Sequence, residues 1–269
     1  MSAPGGVAAR TVAGAAQRLS SLVLVAAIAG CATSRPAVVP MKTLSDRSAC
    51  AARAGTLVVL LPGAYSAPEE FVAEGFVTAL RARSVAADVV IADAHLGYFS
   101  DGSAITRLRE DVVLPARAAG YRSIWLVGVS LGGFVALVYA ARHGGEIDGV
   151  FAIAPYPGTP ALQREIHDAG GPRAWRSANT GMSVDHPERA LWVWLGATEA
   201  ERKPPVYLGY AHGDRFADGL QVMGGTLPAS QVATVPGGHE WAPWRALWNG
   251  WLDRGLLDPA CPAPGRVGS

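Results

Sequence analysis

Residues Ser123 to Gly133 read SIWLVGVSLGG. Ile124 to Val129 is a short, almost wholly apolar run with β-branched residues, the pattern of a strand buried on both faces of a parallel sheet. Gly128, Ser130 and Gly132 then fall on the spacing G-x-S-x-G, and Phe134 to Arg142 continues at helical period. The serine therefore sits on a sharp strand-to-helix turn, with small residues on either side because neighbouring backbone must approach closely. Such a turn holds the Ser130 hydroxyl proud of the sheet edge. It also aims the unpaired N–H groups of the following helix, including that of Leu131, at any oxyanion formed there.

Working outward, Thr56 to Leu61, Ala87 to Ala92, Ile147 to Ile153, Val206 to Tyr210 and Val232 to Val235 read as further short strands, most of them followed by helical patterns. Strand and helix in alternation predict an α/β fold, a mostly parallel sheet flanked by helices on both faces. The helix after the first of these strands has Ser66 and Glu69 at capping-box spacing, Pro68 in its first turn, and Val72, Phe76 and Leu80 as its apolar stripe. A helical stretch from about Ala104 to Ala119 must kink or restart at Pro115. From about 155 to 205 the rhythm fails, and within that stretch Ala190 to Leu195 could be a strand or a short helix. This reads as a lid insertion over the carboxyl edge of the sheet, where such folds bind ligands, with Tyr156, Trp175, Trp192 and Trp194 suited to an apolar substrate. Trp241, Trp244, Trp248 and Trp251 recur at helical spacing in the last helix and read as core.

The 269 residues suit one domain, here 56–256, followed by a tail, 257–269. Lys and Arg total 23 against 22 acidic residues, and no basic run appears, which argues against nucleic acid as a partner. Residues 1–30 read as a signal peptide: a positive, acid-free leader, an apolar core from Leu19 to Ile28, and then Cys31. Ile28-Ala29-Gly30-Cys31 resembles the lipobox of bacterial lipoproteins. That resemblance implies a lipid anchor on Cys31 and, from Ala32, residence on the periplasmic side of the outer membrane; residues 31–55, interrupted by Pro36 and Pro40 and without periodicity, read as a linker. Export places Cys50 and Cys261 in an oxidising compartment, so the two are expected to form a disulfide joining the ends of the domain.

An activated serine needs a base, and the base needs an orienting acid. His239 lies between the last strand and the last helix, and Asp214 follows the strand ending at Tyr210. Both should project from the edge that carries Ser130. Asp218 is an alternative acid, one helical turn further on. His212 reads as a loop or packing histidine, and Glu240 should point away from the imidazole. Asp93, His95 and Asp101 follow the Ala87–Ala92 strand, but their spacing is not that of a metal site, and neither a metal nor another cofactor is expected.

With Ser, Asp and His in that order, and with GVSLG and GGHEW in place, the chain resembles the α/β-hydrolase family from about Thr56 to Arg254. The resemblance implies Ser130 as nucleophile, Asp214 as acid and His239 as base. It also implies an oxyanion hole from the N–H of Leu131 and that of Ala64 or Tyr65. Pro62-Gly63 stands where many relatives carry His-Gly, and the family's first two strands have no counterpart in the sequence pattern. The expected activity is a serine hydrolase, of carboxylesterase type, cleaving an ester or related acyl bond of a small molecule. An acyltransferase, a peptidase or amidase on the same residues, and a non-catalytic envelope binding protein are the alternatives; the oligomeric state is left open.

Overall fold

In a computed structural model of the chain, the described residues are 1–2, 35–50, 54–179 and 186–257. The leader with Cys31, and the tail with Cys261, lie outside them. Cys50 is disulfide-bonded; its expected partner, Cys261, is not among the described residues. The larger of two compact units spans 36–269. Among the described residues, no helix is long and apolar enough to cross a membrane.

Seven strands form one sheet in the order β1-β3-β2-β4-β5-β6-β7. They are β1 (Thr43–Asp46), β2 (Thr56–Leu61), β3 (Ala87–Ala92), β4 (Ser123–Val129), β5 (Gly149–Ile153), β6 (Val206–Ala211) and β7 (Val232–Val235). Strands β2 to β7 pair in parallel, and β1 alone pairs antiparallel, along β3. The central strands are buried on both faces, so their side chains divide between two cores by simple alternation. Leu57, Val59 and Leu61 enter the core shared with the helix after β4, whereas Val58 and Leu60 enter the core shared with the last helix.

The helices follow the strands as the α/β pattern requires: α1 (Pro68–Ala73) and α2 (Phe76–Ala82) after β2, then α3 (Leu96–Ser100) and α4 (Ala104–Leu108) after β3. A π-helical turn, Arg109–Val113, joins α4 to α5 (Leu114–Ala118). Pro115 has no N–H to give the carbonyl of Asp111, and the wider turn just before it absorbs that missing bond. Helix α6 (Leu131–His143) follows β4; α7 (Pro160–Asp168), α8 (Pro172–Ala178) and α9 (Pro187–Leu195) lie between β5 and β6; α10 (Ala217–Gly224) and α11 (Trp241–Asp253) complete the domain.

Several details depart from the sequence reading. The stretch expected to be a linker contains β1, whose four residues are all exposed and therefore carry no hydrophobic alternation. Backbone pairing with β3 and the Arg81–Asp46 ion pair hold it. One strand thus precedes β2, where the sequence pattern gave none. The first helix breaks at Gly75, which adopts φ +78°, and Phe71 takes the buried place expected of Val72. Its cap is shifted by one residue, because Glu70, not Glu69, reaches back to the N–H of Ala67 at 2.7 Å. Of the two readings left open for Ala190–Leu195, the helix is the one formed, as part of α9.

The tryptophan stripe is core: Trp248 and Trp251 are buried, and Trp248 Nε1 donates to the carbonyl of Phe76 at 3.1 Å. Trp248 stacks on Phe76 and meets Phe151 edge-on, so it joins α11 to both α2 and the sheet. Trp248→Ala is expected to cost about 3 to 5 kcal/mol, measured as a loss of unfolding free energy in urea.

Candidate active site

The site is built on backbone contacts. A Cβ at position 132 would lie 2.0 Å from the carbonyl oxygen of Leu61, and one at 128 would lie 2.2 Å from the carbonyl oxygen of Gly132. Only glycine fits at either place. The crossing holds Ser130 at φ 52° and ψ −117°, a left-handed region that costs a non-glycine residue about 1 to 3 kcal/mol. Hydrogen bonds pin the residue there. Its N–H donates to the carbonyl of Ile153 at 2.9 Å, and its carbonyl accepts from the N–H groups of Phe134 and Tyr156, each at 3.1 Å.

Three side chains from separate loops meet at this edge. His239 Nε2 lies 2.9 Å from Ser130 Oγ, and His239 Nδ1 lies 2.8 Å from Asp214 Oδ2. The carboxylate leaves Nδ1 as the donor, so the neutral ring presents Nε2 to the serine as an acceptor. Asp214 is 5% exposed, and its other oxygen accepts the N–H of Phe216 at 2.8 Å. A buried carboxylate is tolerable when both oxygens are hydrogen-bonded in this way. Near-perpendicular rings hold the imidazole, with Phe216 at 5.1 Å and Trp244 at 5.0 Å between centroids.

The competing residues do not join this cluster. Asp218 is exposed on α10, and His212 and Glu240 are also exposed. His95 is buried and accepts the N–H of Gly97 at 3.0 Å, capping α3. The next residue, Leu96, donates its N–H to the carbonyl of Ala64, which ties that loop to the one after β2.

The loop after β2 lies against the serine, since a Cβ at Gly63 would fall 3.6 Å from Ser130 Cβ. The Leu131 N–H, first in its helix, has no intrahelical acceptor. Of the two residues expected to supply the second donor, Ala64 is half-buried and Tyr65 is 86% exposed. Trp175 and Trp192, expected to face substrate, are instead fully buried; their indole N–H groups donate to Glu165 and to the carbonyl of Pro157. The sequence reading missed Phe216 and Glu188. The Tyr156 hydroxyl donates to Glu188 at 3.2 Å. Burial first, and then the Glu188 charge, push the tyrosine pKa up to about 12, so it remains a donor at neutral pH.

Sheet order, nucleophile turn and crossover helices define the α/β-hydrolase fold. Among solved structures, Est1E from Butyrivibrio proteoclasticus matches with TM-score 0.59 at 15% identity, over 80% of this chain and 93% of its own. FphF, a fluorophosphonate-binding serine hydrolase of Staphylococcus aureus, matches with TM-score 0.52 at 14% identity, over 81% of this chain and 100% of its own. The S-formylglutathione hydrolase FrmB of the same organism gives 0.51 at 14%, over 81% and 98%. No curated protein matches the sequence. The Esterase family model matches residues 114–252, just over half of the chain, and the chain belongs to that family. It is a hydrolase of carboxylesterase type.

The backbone crossing gives a direct test. Gly132→Ala should lower stability by about 3 kcal/mol or more through overpacking. Gly250→Ala in α11, where an added Cβ meets nothing within 4 Å, should raise it by about 0.5 to 1 kcal/mol. Denaturant unfolding of the two variants checks the contrast.

Proposed function

We propose that the chain hydrolyses a carboxylic ester through an acyl-enzyme on Ser130. The observation that carries this reading is the pair of hydrogen bonds running from Asp214 through His239 to Ser130. His239 Nε2 takes the hydroxyl proton as Oγ attacks the ester carbonyl, and Asp214 stabilises the imidazolium and fixes its orientation. The N–H groups of Leu131 and Ala64 hold the oxyanion. The imidazolium then gives its proton to the departing alkoxide. A water, deprotonated by the same nitrogen, attacks the acyl carbonyl, and Ser130 regains its proton as the carboxylic acid leaves.

A cavity of about 500 Å³ begins at Phe134, one helical turn beyond Ser130, and its lining includes Phe99, Ile105, Val135, Val138 and Arg142. Its lining is mixed in polarity, with Ser100, Asp101 and Arg142 beside the apolar residues, and does not include Ser130, Asp214 or His239. We also propose, from the leader sequence alone, that Cys31 carries a lipid anchor and places the enzyme on the periplasmic side of the bacterial outer membrane.

Labelling with a fluorophosphonate probe tests the chemistry. The wild type should label, and Ser130→Ala and His239→Ala should not; Asp214→Asn should lower kcat by about 10⁴-fold while the protein stays folded. A folded wild type that does not label, or a Ser130→Ala variant that does, overturns the assignment. For the anchor, metabolic labelling with a fatty acid should mark the wild type and not Cys31→Ser; label retained in the variant refutes it.

A further inference from the structure

The segment that leaves β5 is folded round one carboxylate of the inserted helices. Glu188 Oε1 accepts the Tyr156 hydroxyl at 3.2 Å, and Oε2 accepts the Thr159 N–H at 3.1 Å. Between them Gly158 adopts φ +95°, and a Cβ there would lie 3.3 Å from Glu188 Oε2. The positive φ calls for glycine there, and an added Cβ would also crowd the Glu188 carboxylate. Glu188 stands in the first turn of α9, where the helix dipole favours an acid.

The other end of this segment touches the site. The Tyr156 N–H holds the Ser130 carbonyl, and the Tyr156 ring packs edge-on against Phe134 and against Phe216 at centroid distances of 5.7 and 5.8 Å. Phe216 in turn packs on His239 and gives its N–H to Asp214. Tyr156 thus meets the nucleophile turn through its backbone and the base through one intervening ring.

We infer that Glu188 is a positioning residue for the hydrolysis proposed above: it clamps Tyr156, and Tyr156 sets the Ser130 carbonyl and the rotation of the His239 ring. The inference rests on the Ser130–His239–Asp214 reading. It makes the insertion between β5 and β6 a part of the catalytic frame as well as a cover for substrate. The role is to hold geometry, so it should appear in kcat for even the smallest ester and leave KM nearly unchanged. A residue that only shaped a substrate pocket would change KM, and more strongly as the acyl group grows.

The experiment uses the full chain as Tyr156→Phe, Glu188→Ala, Glu188→Gln and the Tyr156→Phe/Glu188→Ala double variant. It reads the rate of fluorophosphonate labelling and kcat and KM for acetate and octanoate esters, with thermal melting to confirm folding. Tyr156→Phe and Glu188→Ala should each slow labelling and kcat by about tenfold with both esters. The double variant should be no slower than Glu188→Ala alone, because that change already removes the acceptor of the Tyr156 hydroxyl. Glu188→Gln keeps an acceptor oxygen and should restore most of the rate. Tyr156→Phe is nearly isosteric, so the test stands even where Glu188→Ala fails to fold. A wild-type rate in folded Tyr156→Phe, losses that multiply in the double variant, or an effect confined to KM for octanoate would each overturn the clamp. A wild type that does not label at all overturns the triad reading instead, and the two failures are distinguishable.

Discussion

The backbone crossing at Gly132 is the constraint on which the carboxyl edge of this sheet depends. With Gly132 pressed onto Leu61 and Pro62, and Gly128 onto Gly132 and Gly133, helix α6 starts closer to β2 and β4 than any side chain at those positions would allow. That closeness forces Ser130 out of the ordinary backbone regions. The strain persists because the surrounding bonds over-determine it: Ile153 takes the Ser130 N–H, and Phe134 and Tyr156 give theirs to its carbonyl. The same crossing brings the Gly63–Ala64 loop against the serine, since that loop continues directly from the residues Gly132 touches. Ser130 and the loop after β2 are therefore placed by one contact, not two independent ones.

What could be read in the sequence follows from what has local or periodic signature. Strands β2, β4 and β5 are buried on both faces, so they appear as apolar runs, and G-x-S-x-G between a strand and a helix marks the one place where close backbone approach is needed. Asp214 and His239 were legible because each follows a strand and so projects from the same edge. Strand β1 was not, because four exposed residues at the margin of a sheet leave no pattern; pairing with β3 makes the strand. Gly75 ends α1 through its left-handed backbone, although the apolar stripe on its two sides reads as continuous. The burial of Trp175 and Trp192 was misread because an apolar residue in an irregular insertion looks alike whether it packs inward or faces a ligand. Glu188 gave no signal, since its partners, Tyr156 and Thr159, are about thirty residues earlier in the chain.

The surroundings of His239 show how an imidazole is held with both nitrogens committed. Its Nδ1 and Nε2 are engaged by Asp214 and Ser130, so no ring nitrogen is left for a further bond to the scaffold. Rotation is instead limited by two aromatic rings set nearly perpendicular to the imidazole, which add packing without competing for its protons. The side chain of Asp214 is wholly buried and that of His239 nearly so. In the mechanism proposed above, the attraction between carboxylate and imidazolium, stronger in such surroundings than in water, would arise only once the serine proton had moved. Under that proposal the charged state gains more than the resting one, which is the condition for accelerating the chemical step.

The two halves of the site are held by different kinds of force. Ser130 stands on backbone contacts: the close approach at Gly128 and Gly132 and the hydrogen bonds to Ile153, Phe134 and Tyr156. The segment from Tyr156 to α9 stands on side-chain contacts: the Glu188 hydrogen bonds, the Arg189–Glu165 ion pair and the buried indoles of Trp175 and Trp192. Through Tyr156, whose N–H holds the Ser130 carbonyl, this second set of contacts also reaches the crossing. The backbone crossing belongs to the fold, whereas the side-chain contacts of the insertion belong to this particular sequence. This division explains why membership of the Esterase family specifies the reaction of this chain more closely than its substrate.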